Sequence, residues 1–191
     1  EVRRSPAQVD AARQFQDWAR LNGRESIAAL CDRYASQSQS GTTRLLNGPT
    51  GERNSYSLLP REHVLCLADD EGDLLTQLAA VLAVGSEAVM ADLPTVQALH
   101  GTLPQAVQAR ITLTPDWTSD ATRFDAVLYH GDTDQLLEVS QRLSQRSGPI
   151  IGVQGMMSGD TDIPLERLLI ERALSINTAA AGGNASLMTI G

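Results

Sequence analysis

The sequence predicts an α/β chain built around a Rossmann-like, doubly wound domain with a mostly parallel sheet. Three observations predict it. From His63 onward, short apolar runs that read as strands alternate with helical segments, the β-α-β-α order of a sheet covered on both faces. Those runs, His63-Val-Leu-Cys-Leu-Ala68 first among them, are mostly apolar after their first residue, as in strands buried on both sides. At 191 residues the chain is long enough for one sizeable core plus appendages.

The elements follow in order. Pro6 to Leu21 places Val9, Ala12, Phe15 and Ala19 near helical spacing, with Asn22-Gly23 as a stop. Arg24 to Ser36 repeats the pattern through Ile27, Leu30, Cys31 and Tyr34 until Ser-Gln-Ser-Gln-Ser-Gly41 breaks it. Thr43 to Leu46 and Ser55 to Leu59 read as strands around the turn-rich Asn47-Gly-Pro-Thr-Gly51, a small ribbon. The alternating region then gives strands at His63–Ala68, Glu87–Ala91, Arg110–Leu113, Asp125–Tyr129 and Pro149–Val153. Its helices are Asp73–Ala83, ended at Gly85, then Pro94–His100, and Asp132–Gln145 with Leu136, Leu137, Val139, Ser140 and Leu143 on one face. Pro164 to Ala173 reads as a last helix and Leu174–Asn177 as a final strand. The expected divisions are helices over 1–41, a β ribbon over 42–60, the Rossmann-like domain over 61–174, and a docking tail over 175–191.

Composition narrows the function. The formal charge is −8 and every basic residue other than histidine is arginine, so no basic stretch is long enough to neutralise a run of phosphates. Nucleic acid is excluded as a partner on that reading. The cysteines are Cys31 and Cys66 alone, and Cys66 lies inside an apolar strand, where a packed, reduced thiol is expected. No charged-then-apolar leader and no apolar run of membrane-spanning length occurs, which makes a cytoplasmic location the default expectation. The start at Glu1 without methionine suggests a piece of a longer polypeptide.

Chemical motifs are sparse. A nucleotide-binding sheet presents glycines and a bare helix N-terminus to the pyrophosphate after its first strand. Here that turn is Asp69-Asp70-Glu71-Gly72-Asp73, whose carboxylates cap the helix themselves and repel a diphosphate. Gly131-Asp132-Thr133 is a second turn of this kind, with Asp132 better read as an N-cap. His63 and Cys66 point to opposite faces of their strand, while His100 and His130 have no partner at ligand spacing. No Gly-x-Ser-x-Gly elbow and no Cys-x-x-Cys pair is present.

Two segments carry a resemblance. Leu46-Asn-Gly-Pro-Thr-Gly-Glu-Arg-Asn54, continuing through Leu58-Leu-Pro-Arg-Glu-His-Val-Leu-Cys-Leu-Ala-Asp-Asp-Glu-Gly-Asp73, and the tail Ser175–Gly191 resemble the C-terminal region of long bacterial proline utilization A proteins. In that family one polypeptide couples an FAD-dependent proline dehydrogenase to an NAD-dependent L-glutamate γ-semialdehyde dehydrogenase, some members adding a DNA-binding domain. The resemblance implies that this chain is neither catalytic part. It implies instead an accessory domain similar to the cofactor-binding half of an aldehyde dehydrogenase, without cofactor, metal or catalytic residues of its own. The departures are explicit. Aldehyde dehydrogenases carry a Pro-Trp-Asn-type turn where Asp69-Asp70-Glu71 stands, and their general-base glutamate falls where Val153 or Gln154 stands. The segment that brings their nucleophilic cysteine is absent, so no thiohemiacetal can form.

The tail is then the expected working part. Small residues from Thr178 to Ser186 allow a backbone to lie close to another surface, and Leu187, Met188 and Ile190 offer apolar anchors. Asn177, Gly182, Gly183, Asn184, Leu187 and Met188 are the expected interdomain docking residues on the semialdehyde dehydrogenase part of the same or a neighbouring subunit of a homo-oligomeric parent. A frayed terminus is the bland reading of the same residues. The competing functions are a cryptic nucleotide-binding regulatory domain and a pure oligomerisation module.

Overall fold

The computed structural model describes residues 5–48 and 51–177. A capping box between Ser5 and Gln8, with Pro6 in the first turn, starts α1 (Pro6–Leu21). Helix α2 (Glu25–Gln37) follows and leads into β1 (Thr43–Leu46), β2 (Glu52–Pro60) and β3 (His63–Leu67). Then come α3 (Glu71–Val84), β4 (Glu87–Ala91), α4 (Pro94–Thr102), the single turn α5 (Gln105–Gln108) and β5 (Ile111–Thr114). The order continues with β6 (Ala126–His130), α6 (Thr133–Ser144), β7 (Val153–Met156), a 3-10 turn at Leu165–Leu168, and β8 (Leu169–Asn177).

The strands form two sheets. The larger has the order β5-β4-β3-β6-β7 with every pair parallel, the doubly wound arrangement expected. The direction of winding reverses between β3 and β6. One sheet face, carrying Val64, Cys66, Ala88, Met90 and Leu128, packs into the main core with Phe15 and Ala19 of α1, Tyr34 of α2 and the length of α3. The other face, with Leu65, Val89 and Val127, is covered by Phe124 and the half-buried Trp117, Leu143 and Val153.

Helix α3 is the central beam. Every residue from Asp73 to Val84 is buried, because α1 and α2 lie against the side that faces away from the sheet. It stops at Gly85, whose φ of 94° is open to glycine at little steric cost. Helix α6 is the opposite case. None of its residues is fully buried, and Leu137 is 59% exposed, so its apolar face meets the sheet only through half-buried side chains. Gly155 of β7 makes that contact close, since a Cβ there would run into Leu136. Beyond α6, Arg146 ties down the 115–124 loop. Its guanidinium donates to the carbonyls of Trp117 (2.6 Å), Ser119 (2.5 Å) and Thr122 (2.6 Å) and lies 4.4 Å from the Phe124 ring centroid.

Two expectations are corrected. The helix expected over Pro164–Ala173 is a 3-10 turn followed by strand β8, which pairs antiparallel with β2 along its whole length, from Leu169 opposite Pro60 to Asn177 opposite Glu52. Pairing with β2 overrides a run of good helix formers, and the ribbon becomes a three-stranded sheet of order β1-β2-β8. The fifth parallel strand starts at Val153 rather than Pro149; Pro149 cannot donate to a ladder, and Ile150 stands fully in solvent.

The contrast between α3 and α6 has a measurable outcome. Leu78→Ala, at a fully buried position of α3, lowers stability by about 2–5 kcal/mol in urea unfolding, whereas Leu137→Ala changes it by less than about 0.5 kcal/mol.

Candidate functional site

The place to look for a ligand in an open α/β sheet is the crevice at the carboxyl ends of the strands, where the winding reverses. A concavity of about 260 Å³ lies there, lined in part by Leu67, Ala68, Asp69, Leu93, Trp117, Tyr129 and Arg142. Its two candidate phosphate-binding turns are already filled by the chain's own acids. Asp70 caps α3, its carboxylate accepting from the backbone N–H groups of Gly72 (2.7 Å) and Asp73 (3.2 Å). Asp132 caps α6 by accepting from Gln135 N–H at 2.8 Å. Gly131 is occupied in another sense, because the Tyr129 hydroxyl, which donates to Gln135 Oε1 at 2.9 Å, stands where a Cβ would go. Burial, followed by the carboxylates of Asp132, Asp69 and Glu138, raises the Tyr129 phenol above its ordinary pKa. Asp69 and Glu138 outnumber Arg142 in the lining, a balance that disfavours a diphosphate.

The acidic turn does more than cap. Glu71 pairs with Arg24. Asp73 is 4% exposed and reaches across to the segment after β7, accepting from Ser158 Oγ (2.6 Å) and from the Gly159 N–H (2.8 Å). One turn further along α3, the fully buried Gln77 donates from Nε2 to Leu67 O (2.9 Å) and to His130 Nδ1 (2.8 Å). That geometry fixes the tautomer: His130 carries its proton on Nε2 and donates it to Asp160 O at 2.9 Å. From α2, Tyr34 OH donates to Thr161 O at 2.6 Å, and Arg33 donates to the same carbonyl. The segment from Ser158 to Thr161 is therefore pinned from α2, α3 and β6 at once. Sequence reading missed this set. The available signal was Asp73 and Gln77, polar residues four apart at the start of an otherwise apolar helix.

Val153 and Gln154 sit on β7, opposite Val127 and Leu128, and neither side chain is a base. Cys31 is pushed up to about 12 by burial and then by Asp32, and burial alone drives the Cys66 thiol upward. Neither is an activated nucleophile. His63 lies 3.5 Å from Glu87, which Arg110 also holds at 2.8 Å, and His100 is near Gln108 O. Among the described residues no three His, Cys, Asp or Glu side chains gather as a metal site, and no helix is long and apolar enough to cross a membrane.

Of the expected docking residues, Asn177 closes β8; Gly182, Gly183, Asn184, Leu187 and Met188 lie outside the described residues. The small sheet that leads to them has an unusual surface. Leu45, Ile170, Leu174 and Ile176 are 40–64% exposed, and the pairing registers put all of them on one face. Strand β8 is the edge of that sheet, so one of its sides is unpaired within the sheet.

Comparison with known proteins bears on these features. No protein-family model matches the chain. The bifunctional protein PutA of Escherichia coli (strain K12) is 55% identical over 177 residues, which are 93% of this chain and 13% of that protein. A solved proline utilization A structure with proline bound in remote sites superposes with a TM-score of 0.58 at 22% identity, covering 82% of this chain and 20% of the other. The substrate-bound AldH of Staphylococcus aureus gives a TM-score of 0.55 at 12% identity, over 80% of this chain and 41% of the other. These structures share the fold. The chain spans about an eighth of the length of the E. coli relative.

Two outcomes test the site. Asp73→Ala costs about 1–3 kcal/mol of stability and speeds amide exchange at Gly159. Both thiols stay protonated beyond their ordinary value near 8.5, so they favour the folded state below that pH and withdraw stability as pH rises toward about 12. Urea midpoints that fall with alkaline pH in the native chain, and fall less in Cys31→Ser/Cys66→Ala, are the expected result.

Proposed function

The chain belongs to the proline utilization A family, and from that premise we propose that it is the family's non-catalytic accessory domain. The parent polypeptide oxidises proline to glutamate through the semialdehyde, with FAD serving the proline dehydrogenase and NAD the semialdehyde dehydrogenase, in the cytoplasm and as a homo-oligomer. This domain packs against the semialdehyde dehydrogenase part, supporting its active site and the channelling of the intermediate. Residues 1–41, 42–60 and 61–174 form its helices, ribbon and Rossmann-like body, with 175–191 as the docking tail.

The observation that carries this reading is the small sheet. A row of exposed Leu45, Ile170, Leu174 and Ile176 beside the open edge of β8 is an aggregation hazard in isolation, and a partner domain relieves it. β8 runs directly into the expected docking residues, beginning with Asn177. The self-capped turns at Asp70 and Asp132 support a body without cofactor or catalytic residues and count against a cryptic nucleotide sensor.

The same apolar sheet would also serve a pure oligomerisation module. Deleting residues 178–191 from the full-length protein separates the two. On the docking reading, semialdehyde dehydrogenase activity and the coupling between the two reactions fall by about tenfold or more while the sedimenting species is unchanged. Unchanged kinetics with an altered assembly state would mean that the domain acts in oligomerisation alone.

A further inference from the structure

The opposite rim of the parallel sheet holds a second concavity. It encloses about 270 Å³ at the amino ends of β6 and β7, and Arg61, Asp125, Gly152, Val153, Gln154 and Arg167 line it. Ligands of open α/β sheets gather at the other rim, so this cavity owes nothing to the crevice of the nucleotide fold.

Two arginines, Arg61 and Arg167, line it together, and neither is paired with a carboxylate among the described residues, unlike Arg13, Arg20, Arg24 and Arg110. Arg61 is held in place by neutral groups. Its Nε donates to Arg167 O and its Nη1 to Asp125 O, both at 3.0 Å, and its backbone N–H donates to Leu168 O at 2.9 Å. These bonds fix the guanidinium without cancelling its charge and leave Nη2 uncommitted among the described residues. Arg167 is exposed, and its guanidinium has no partner among them. Asp125, the one acid in the lining, accepts from the backbone N–H groups of Glu62 (3.4 Å) and His63 (3.2 Å), which absorb part of its charge.

We propose that this cavity binds a small carboxylate anion between Arg61 and Arg167. Two arginines and one aspartate leave a single positive charge, which a monoanion balances and a phosphate dianion overshoots. Planar guanidinium forks suit a carboxylate's paired oxygens. The volume admits a short organic acid or an acidic amino acid of net charge −1 and is too small for a nucleotide.

The test uses the 191-residue chain labelled with ¹⁵N and titrated with sodium acetate or sodium glutamate, against sodium chloride and sodium phosphate at matched ionic strength. The expected result is a saturable shift of the Arg61 Nε–H signal and of the Gly152–Gln154 amides with the carboxylates alone. Arg167→Gln, at an exposed position that leaves the Arg61 anchors in place, weakens that binding by about tenfold with an otherwise unchanged spectrum. Equal shifts in chloride, a response to phosphate instead of carboxylates, or undiminished binding by Arg167→Gln would each overturn the proposal.

Discussion

The burial of α3 is the constraint on which the rest of the structure depends. A helix enclosed on all sides gains from every apolar side chain it carries, but it also withdraws its polar ones from water. Asp73 answers that requirement by accepting from the segment after β7, and Gln77 Nε2 by donating to Leu67 O and to His130, which reaches the same segment, while Gln77 Oε1 has no partner among the described residues. The beam that holds the sheet to α1 and α2 thus also fixes where the chain leaves the sheet. The start of β8 follows from that exit, and the three-stranded sheet is built on β8.

Much of this was legible in residue patterns. Apolar strands of about five residues, glycine at Gly85 and proline at Pro6 and Pro94 set most element boundaries to within a few residues, because each is a local requirement of the backbone. The larger failure came where a distant partner decides. Leu165-Glu-Arg-Leu-Leu-Ile-Glu-Arg satisfies helical spacing by itself, and only β2 lying alongside makes Ile170, Arg172, Leu174 and Ile176 a strand face. The candidate site divided in the same way. The capping roles of Asp70 and Asp132 are local and could be read from the sequence. The reach of Asp73 to Ser158 and the meeting of Arg61 with Arg167 span 85 and 106 positions, and no spacing rule announces them.

The crevice shows how two helix starts at the carboxyl rim of a sheet can be capped from within the chain. Helix dipoles at the starts of α3 and α6 point into the rim, where Asp70 takes two of the donors of α3 and Asp132 one of those of α6. Tyr129 and Gln135 fill the space at Gly131. Fold likeness to aldehyde dehydrogenases is a likeness of architecture alone, and the side chains decide what the crevice can hold.

The root of the small sheet has a mechanical meaning. β2 ends and β8 begins at the same point, Pro60 facing Leu169, and the Arg61 backbone and side chain lace residues 61, 125, 167 and 168 together immediately beneath. The sheet is thus a cantilever clamped where its central strand β2 ends and its edge strand β8 begins. A load applied near Asn177 would travel down nine residues of paired strand and arrive at the first turns of β3 and β6, inside the core itself.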